Sequence, residues 1–207
     1  MSKGFEIISE GLASCKVPIF EKVSKDMFVF YNPVMVLNRD LSTLLLKAFC
    51  ELYSKDDLQI ALPLAGSGIR ACRLIRELPE HISLLSVNDY SKDACKLIKK
   101  NLKKNNNKKK ENSKKKENKE KNKKNKDYKD YKKIKIKLSN NEANKFLLDS
   151  LGFDYIDIDP FGSPNPFLDS AIKRLSRDGL LAVTATDTSA LSGTYRLARL
   201  RSIGARP

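Results

Sequence analysis

The side chains most suited to chemistry lie together in Phe153-Asp154-Tyr155-Ile156-Asp157-Ile158-Asp159-Pro160-Phe161-Gly162. The pattern predicts a short apolar strand that ends in a carboxylate and is followed at once by proline, an aromatic residue and glycine. In open α/β sheets ligands bind beyond the carboxyl edge of the strands, so Asp159 would stand at the mouth of a site. Pro160 stiffens the turn and presents a carbonyl with no N–H of its own. Phe161 offers a flat face on which a base could stack. Acid, rigid carbonyl and aromatic ring together suit the holding of a planar NH2 group and the steering of its nitrogen toward an electrophile. The alternative is an ordinary strand-to-helix turn with a capping aspartate.

A second set of candidates lies upstream. Leu58–Leu62 reads as a strand running into Gly66-Ser67-Gly68 and then into a helix from Ile69, the strand–glycine–helix order of nucleotide-cofactor sites. Only Gly66 and Gly68 of the longer glycine fingerprint are present. Arg70, in the first turn of that helix, sits beside the positive end of the helix dipole, which is sensible if a carboxylate is shared there. Residues 83–89 form a further strand with Asp89 at its end. That acid lies roughly 20 residues after the glycines, where a carboxylate can accept from both ribose hydroxyls. Arg39 lies just outside the predicted start of a helix and reads equally well as a surface arginine. Glu142 and Ala143 open a helix after the strand at Ile134–Leu138, where an adenine amino group could be read.

The elements that must position these residues follow from periodicity. Leu41, Leu44, Leu45, Ala48, Phe49 and Leu52 predict an amphipathic helix capped by Asp40. Ser91 caps a helix carrying Ala94, Cys95, Leu97, Ile98 and Leu102. Pro164 and Pro166 start a helix with Phe167, Leu168, Ala171, Ile172 and Leu175 in the core, and Gly179 ends it. A fifth strand spans 180–187. Five strands alternating with helices imply a doubly wound, mostly parallel α/β sheet. Residues 1–25 read as turns and short strands.

Charge separates one segment from the rest. The formal charge is +15, and residues 99–137 hold 20 Lys against 5 acids, so the remainder is neutral. From about Asn101 to Lys133 the composition is almost wholly Lys, Asn and Glu, which predicts a disordered insertion. It reads as a tolerated surface insertion, a nucleic-acid tether or a nuclear-import signal. The domain division is then 1–57 for the N-terminal segment and first helix and 58–102 for a cofactor-binding half. The insertion takes 103–133, and 134–207 forms a catalytic half. Cys15, Cys50, Cys72 and Cys95 contain no CxxC pair, so buried thiols are expected rather than a metal site. His81 follows a Pro-Glu turn and reads as a loop residue. No apolar run of membrane-spanning length and no charged-then-apolar leader occur, so a soluble intracellular protein is expected, nuclear or cytoplasmic.

The chain resembles the tRNA guanine-N2 dimethyltransferases, Rossmann-like class I methyltransferases that use S-adenosylmethionine to modify guanosine 26. The resemblance is carried by Glu10-Gly11, Phe30-Tyr31-Asn32-Pro33, Asn38-Arg39-Asp40-Leu41-Ser42, Gly66-Ser67-Gly68-Ile69-Arg70-Ala71 and Asn88-Asp89. It continues in Asp157-Ile158-Asp159-Pro160-Phe161-Gly162-Ser163-Pro164 and Thr184-Ala185-Thr186-Asp187-Thr188. It implies that Arg39 and Arg70 bind the cofactor, including its methionine carboxylate, and that Asp89 holds its ribose. Where the family has Asp-Ala-Asn this chain has Glu142-Ala143-Asn144, which keeps the charge and adds a methylene. Asp159 matches the catalytic motif of amino-methyltransferases, with tRNA as substrate and no metal. The resemblance also implies a terminal antiparallel hairpin and a C-terminal tRNA-binding domain. Their absence suggests a chain truncated after the fifth strand, weak or inactive by itself. Other readings are a different nucleic-acid amino-methyltransferase and a non-catalytic SAM- or RNA-binding remnant.

Overall fold

A computed structural model describes residues 4–19, 27–120 and 134–186. Its centre is a five-stranded sheet built from β3 (Leu58–Leu62), β4 (Ile82–Asn88), β5 (Lys135–Ser139), β6 (Phe153–Ile158) and β7 (Leu175–Val183). The spatial order is β5-β4-β3-β6-β7, and every neighbouring pair is parallel. Chain direction across the sheet reverses between β3 and β6, which makes their carboxyl ends the topological switch point. This is the doubly wound sheet expected from the alternation of strands and helices.

Helices cover both faces. On one side α1 (Val36–Tyr53), α2 (Ile69–Glu77) and α3 (Lys92–Glu120) share a core with Ile60, Leu85, Val87 and Tyr155. On the other, α4 (Ala143–Leu148) and α5 (Asn165–Arg174) bury Phe146, Leu147 and Ala171 against Ala61, Ile156 and Ile158. In β6 the period-2 alternation therefore sends Ile156 and Ile158 toward α4 and α5, while Tyr155 and Asp157 face α1 and α2.

An antiparallel hairpin, β1 (Phe5–Glu10) with β2 (Ala13–Pro18), turns at Gly11 in the left-handed region (φ 50) and packs on α2 and α3. The attachment of β2 is polar. Asn101 accepts from the Lys16 N–H (2.8 Å) and donates to the Lys16 carbonyl (2.9 Å), and Asn105 does the same for Ser14 (3.0 and 3.0 Å). Two asparagines four apart on a helix rise about 6 Å, close to the two-residue repeat of a strand, so their amides serve β2 as a surrogate neighbouring strand.

Four expectations need correction. First, α1 begins at Val36, not after Asp40. Asn32 caps a 3-10 turn at Pro33–Met35 that leads directly into it, so Arg39 lies inside the helix and Asp40 pairs with Arg73. Second, the buried face of α1 is Arg39, Ser42, Leu46, Phe49 and Cys50, whereas Leu41, Leu44, Leu45 and Leu52 are 48–79 % exposed. The helix is rotated so that polar groups reach the site. Third, α5 ends at Arg174 with Ile172 exposed, and Leu175 already pairs with Phe153 at the start of β7. Gly179 therefore belongs to an irregularity within the strand, beside Asp178 at φ 59, before Leu180 pairs with Tyr155. Fourth, α3 runs on as helix to Glu120, through the first half of the segment expected to be disordered. Lys and Glu are strong helix formers, and buried Asn101, Leu102 and Asn105 anchor the helix. The rest of that segment, and Asp187 of the predicted fifth strand, lie outside the described residues.

Candidate active site

Beyond the carboxyl ends of β3 and β6 opens a cleft of about 470 Å³, a figure that includes the solvent at its mouth. Phe30, Tyr31, Asn32, Arg39, Gly66, Ser67, Arg70, Asp157 and Asp159 contribute to its lining, together with apolar residues from β3 and the turn after it. The chain thus brings Arg39, Gly66, Arg70 and Asp159, predicted from three separate segments, to one place.

The cofactor corner is shaped by backbone. Gly66 has φ 54, and a Cβ there would lie 2.8 Å from the Phe30 carbonyl, which itself accepts the Ser67 N–H at 2.9 Å. No side chain is tolerated at so close an approach. Gly68 has φ 77, a Cβ there would meet Ile98 of α3, and the residue is not part of the cleft lining. The helix α2 starts with no side-chain cap, leaving first-turn N–H groups without intrahelical acceptors at the cleft edge. Asp89, one residue past β4, accepts the Gly66 N–H through Oδ2 and the Ser91 N–H through Oδ1, each at 2.8 Å. Burial pushes its carboxyl above the usual range, and the two backbone hydrogen bonds oppose this. Asn140 donates to the Asp89 carbonyl, and Asn88 ties the strand end to the carbonyls of Pro63 and Asn141. Glu142 spends both carboxylate oxygens on capping α4, accepting from Asn144 and Lys145 N–H, and Ala143 is buried at the first helical position.

The arginines are held more tightly than their sequence setting suggests. Arg39 is buried and makes a two-pronged pair with Glu10, Nε at 2.8 Å and Nη2 at 2.7 Å, while Tyr31 donates to the same carboxylate at 3.0 Å. Burial, with the Glu10 carboxylate beside it, pushes the Tyr31 hydroxyl up to about 12. Arg70 distributes its terminal N–H groups over Ser42 Oγ (2.6 Å), Asn38 Oδ1 (2.7 Å), Asp157 Oδ2 (3.1 Å) and Asp159 Oδ2 (3.1 Å).

The Asp159-Pro160-Phe161-Gly162 turn is latched by Thr186, three residues past β7. Gly162, at φ 82, donates to Thr186 Oγ1 at 2.7 Å, and Thr186 N–H returns to the Gly162 carbonyl at 3.1 Å. Pro160 is buried, whereas Phe161 is half exposed and meets Phe30 edge to face, centroids 4.3 Å apart. Sequence reasoning gave no task to Glu10, Asn38, Ser42 or Asp157. Their signal was present only as members of the matching segments, because their partners are distant in the chain.

A glycine turn, a strand-end acid and a second strand-end acid with an aromatic pair lie at the carboxyl edge of a 3-2-1-4-5 parallel sheet, the arrangement of a Rossmann-like α/β domain with a cleft at its switch point. The profile of the N2,N2-dimethylguanosine tRNA methyltransferase family matches residues 11–207, and the chain belongs to that family. It is 38% identical over 205 residues to the tRNA (guanine(26)-N(2)/guanine(27)-N(2))-dimethyltransferase of Aquifex aeolicus, covering 98% of this chain and 46% of that protein. It is 37% identical over 205 residues to the tRNA (guanine(26)-N(2))-dimethyltransferase of Methanococcus maripaludis, covering 98% and 48%. Among solved structures, Trm1 from Pyrococcus horikoshii in complex with S-adenosyl-L-methionine superposes with a TM-score of 0.71 at 32% identity, over 98% of this chain and 48% of that one. The chain spans about half the length of these relatives. Among the described residues no acid, histidine or cysteine cluster could hold a metal, and no helix is long and apolar enough to cross a membrane.

Proposed function

We propose that this chain supplies the cofactor-binding and catalytic half of an enzyme that transfers methyl groups from S-adenosylmethionine to the exocyclic N2 of guanosine 26 in tRNA. The observation that carries the reading is the Asp159 turn: a carboxylate at the switch point, held by Arg70, beside the Phe30–Phe161 pair. The family membership and the relatives' names support the choice of guanine N2 and of tRNA. A soluble intracellular protein, nuclear or cytoplasmic, is the setting this reading implies.

The residues present fit the cofactor. Gly66 provides a cradle that any Cβ would fill, Asp89 presents a carboxylate beside it for ribose hydroxyls, and Arg39 and Arg70 line the cleft as guanidiniums paired with Glu10, Asp157 and Asp159, which a cofactor carboxylate would have to share. Ala143 and Glu142 follow β5, on the side where the adenine would be read. When bound, S-adenosylmethionine supplies an electrophilic methyl group on a sulfonium. Asp159 and the Pro160 carbonyl accept the two N–H bonds of the guanine amine, whose lone pair is otherwise delocalised into the ring. That grip favours a tetrahedral nitrogen aimed at the methyl carbon, so catalysis rests on positioning and local electrostatics. Asp159 then takes the proton that the alkylated amine releases. The guanine must leave its stack to reach the cleft, and Phe30 and Phe161 part to receive it. The monomethylated amine must rotate for a second transfer.

Nucleoside analysis of an unmodified tRNA transcript after incubation with the complete protein and S-adenosylmethionine tests this. N2-methylated guanosine is expected, and a transcript with adenosine at position 26 should stay unmodified. Methylation at another guanine atom, or on adenine, overturns the reading.

A further inference from the structure

Asp157 has no task in the chemistry above, yet it is 4 % exposed, between the fully buried Ile156 and Ile158 of β6. Burying a charged carboxylate is rarely better for stability than an apolar residue of similar size, so its surroundings carry the explanation. Tyr155 donates its hydroxyl to Asp157 Oδ2 at 2.7 Å, and Arg70 Nη1 lies 3.1 Å from the same oxygen. Through Nη2 the same guanidinium reaches Asp159 Oδ2, also at 3.1 Å. Asp157 lies in β6 and Asp159 one residue past its end, and both carboxylates reach the same guanidinium. One cation therefore serves two anions, one sealed in the core and one at the cleft.

We propose that Asp157 is a positioning residue for Asp159: it anchors one end of the Arg70 guanidinium and offsets its charge, leaving Asp159 aimed at the amine and able to accept from it. The proposal rests on the reading of Asp159 as the group that receives the guanine amine. Without Asp157 the full charge of Arg70 falls on Asp159, and a carboxylate in an undivided pair is a weaker acceptor and a weaker base. Nη1 would also lose its charged acceptor and keep Ser42 Oγ alone, so the guanidinium, and Asp159 with it, would be held less firmly. The titratable groups facing Asp157 are Arg70, Tyr155 and Asp159. Burial pushes the Asp157 carboxyl up, Arg70 and the Tyr155 hydroxyl oppose this, and the charge of Asp159 adds to it. Burial also holds the Tyr155 hydroxyl well above its usual value, so it remains a donor.

The test uses the complete protein with Asp157→Asn and Tyr155→Phe. Calorimetric S-adenosylmethionine affinity and single-turnover methyl transfer against pH are measured, with a carbon-13 titration of the Asp159 carboxylate in the free protein. Asp157→Asn should lower the transfer rate at saturating cofactor about 10- to 100-fold, and move the Asp159 midpoint and the acid limb of the rate to lower pH. Tyr155→Phe should do the same to a smaller degree, and it decides the matter if Asp157→Asn does not fold. An unchanged rate, or a lowered rate with an unmoved midpoint, overturns the proposal and leaves Asp157 a packing residue. If the wild type methylates no guanine, the functional reading fails, and the midpoint in the free protein still decides the role of Asp157.

Discussion

Asp89 and Asp159 each stand one residue beyond the end of a parallel strand, and the chain treats them in opposite ways. Asp89 is surrounded by backbone: two N–H groups fill one site on each oxygen, and burial holds its carboxyl above the usual range. Asp159 is surrounded by side-chain charge, sharing Arg70 with a second, buried carboxylate. The first arrangement is a rigid acceptor suited to hydroxyl donors that do not change charge. The second is a carboxylate whose strength as acceptor and base is set by its neighbours, which suits a group that must take a proton. Placement at a strand end puts Asp159 in the cleft lining and Asp89 against the Gly66 turn that borders it, and the partners decide what each can do there.

Perturbing each corner separately should give different signatures. Apart from loss of the Asp159 carboxylate itself, the largest effect is expected from Asp89→Ala, which removes the proposed ribose acceptor and frees the Gly66 N–H. Cofactor affinity should fall about 10- to 100-fold by calorimetry, with the transfer rate at saturating cofactor reduced far less. A rate loss without an affinity loss would assign Asp89 to the wrong corner. Next is Phe161→Ala, which takes one stacking face from the flipped guanine. It should cost about 1–3 kcal/mol in tRNA binding and nothing in cofactor binding. Further from the cleft, Asn105→Leu should lower stability by about 1–3 kcal/mol, because the Ser14 N–H and carbonyl lose their buried partner. Denaturant unfolding would show this, and cofactor affinity should not change. The smallest effect concerns pH. Ribose hydroxyls need the ionised carboxylate, and the raised Asp89 value means that protonation sets in at a higher pH than for an ordinary aspartate. Cofactor affinity should therefore begin to weaken on acidification above the usual carboxylate range. That dependence should vanish in Asp89→Asn.

The two corners also differed in how far they could be read from sequence. The Asp89 corner is built locally: a glycine turn after one strand, an acid at the end of the next, and Ser91 two residues on. Spacing is enough to find it. The Asp159 corner was visible only at its tip, the Asp-Pro-Phe-Gly turn. Its support comes from Asn38 and Ser42 on α1, Arg70 on α2 and Asp157 inside β6, and no spacing rule connects these. Periodicity misled where function outweighs amphipathicity. Leucines mark one face of α1, but the helix turns Arg39 and Ser42 inward and leaves Leu41 and Leu44 exposed. Composition misled in α3. Asn101 and Asn105 look like the start of a low-complexity tract, yet they complete the hydrogen bonding of β2. Asparagine is neutral in any hydropathy pattern, so the period-4 match to a strand is legible only once the strand lies beside it.

The central claim is that the Asp159 corner performs methyl transfer while the Asp89 corner holds the cofactor. Single-turnover transfer to unmodified tRNA by Asp159→Asn, with cofactor affinity measured on the same preparation, tests it most directly. The account predicts a rate at least about 100-fold below wild type with affinity close to unchanged. Transfer at the wild-type rate, or loss of cofactor binding in step with the rate, would contradict it.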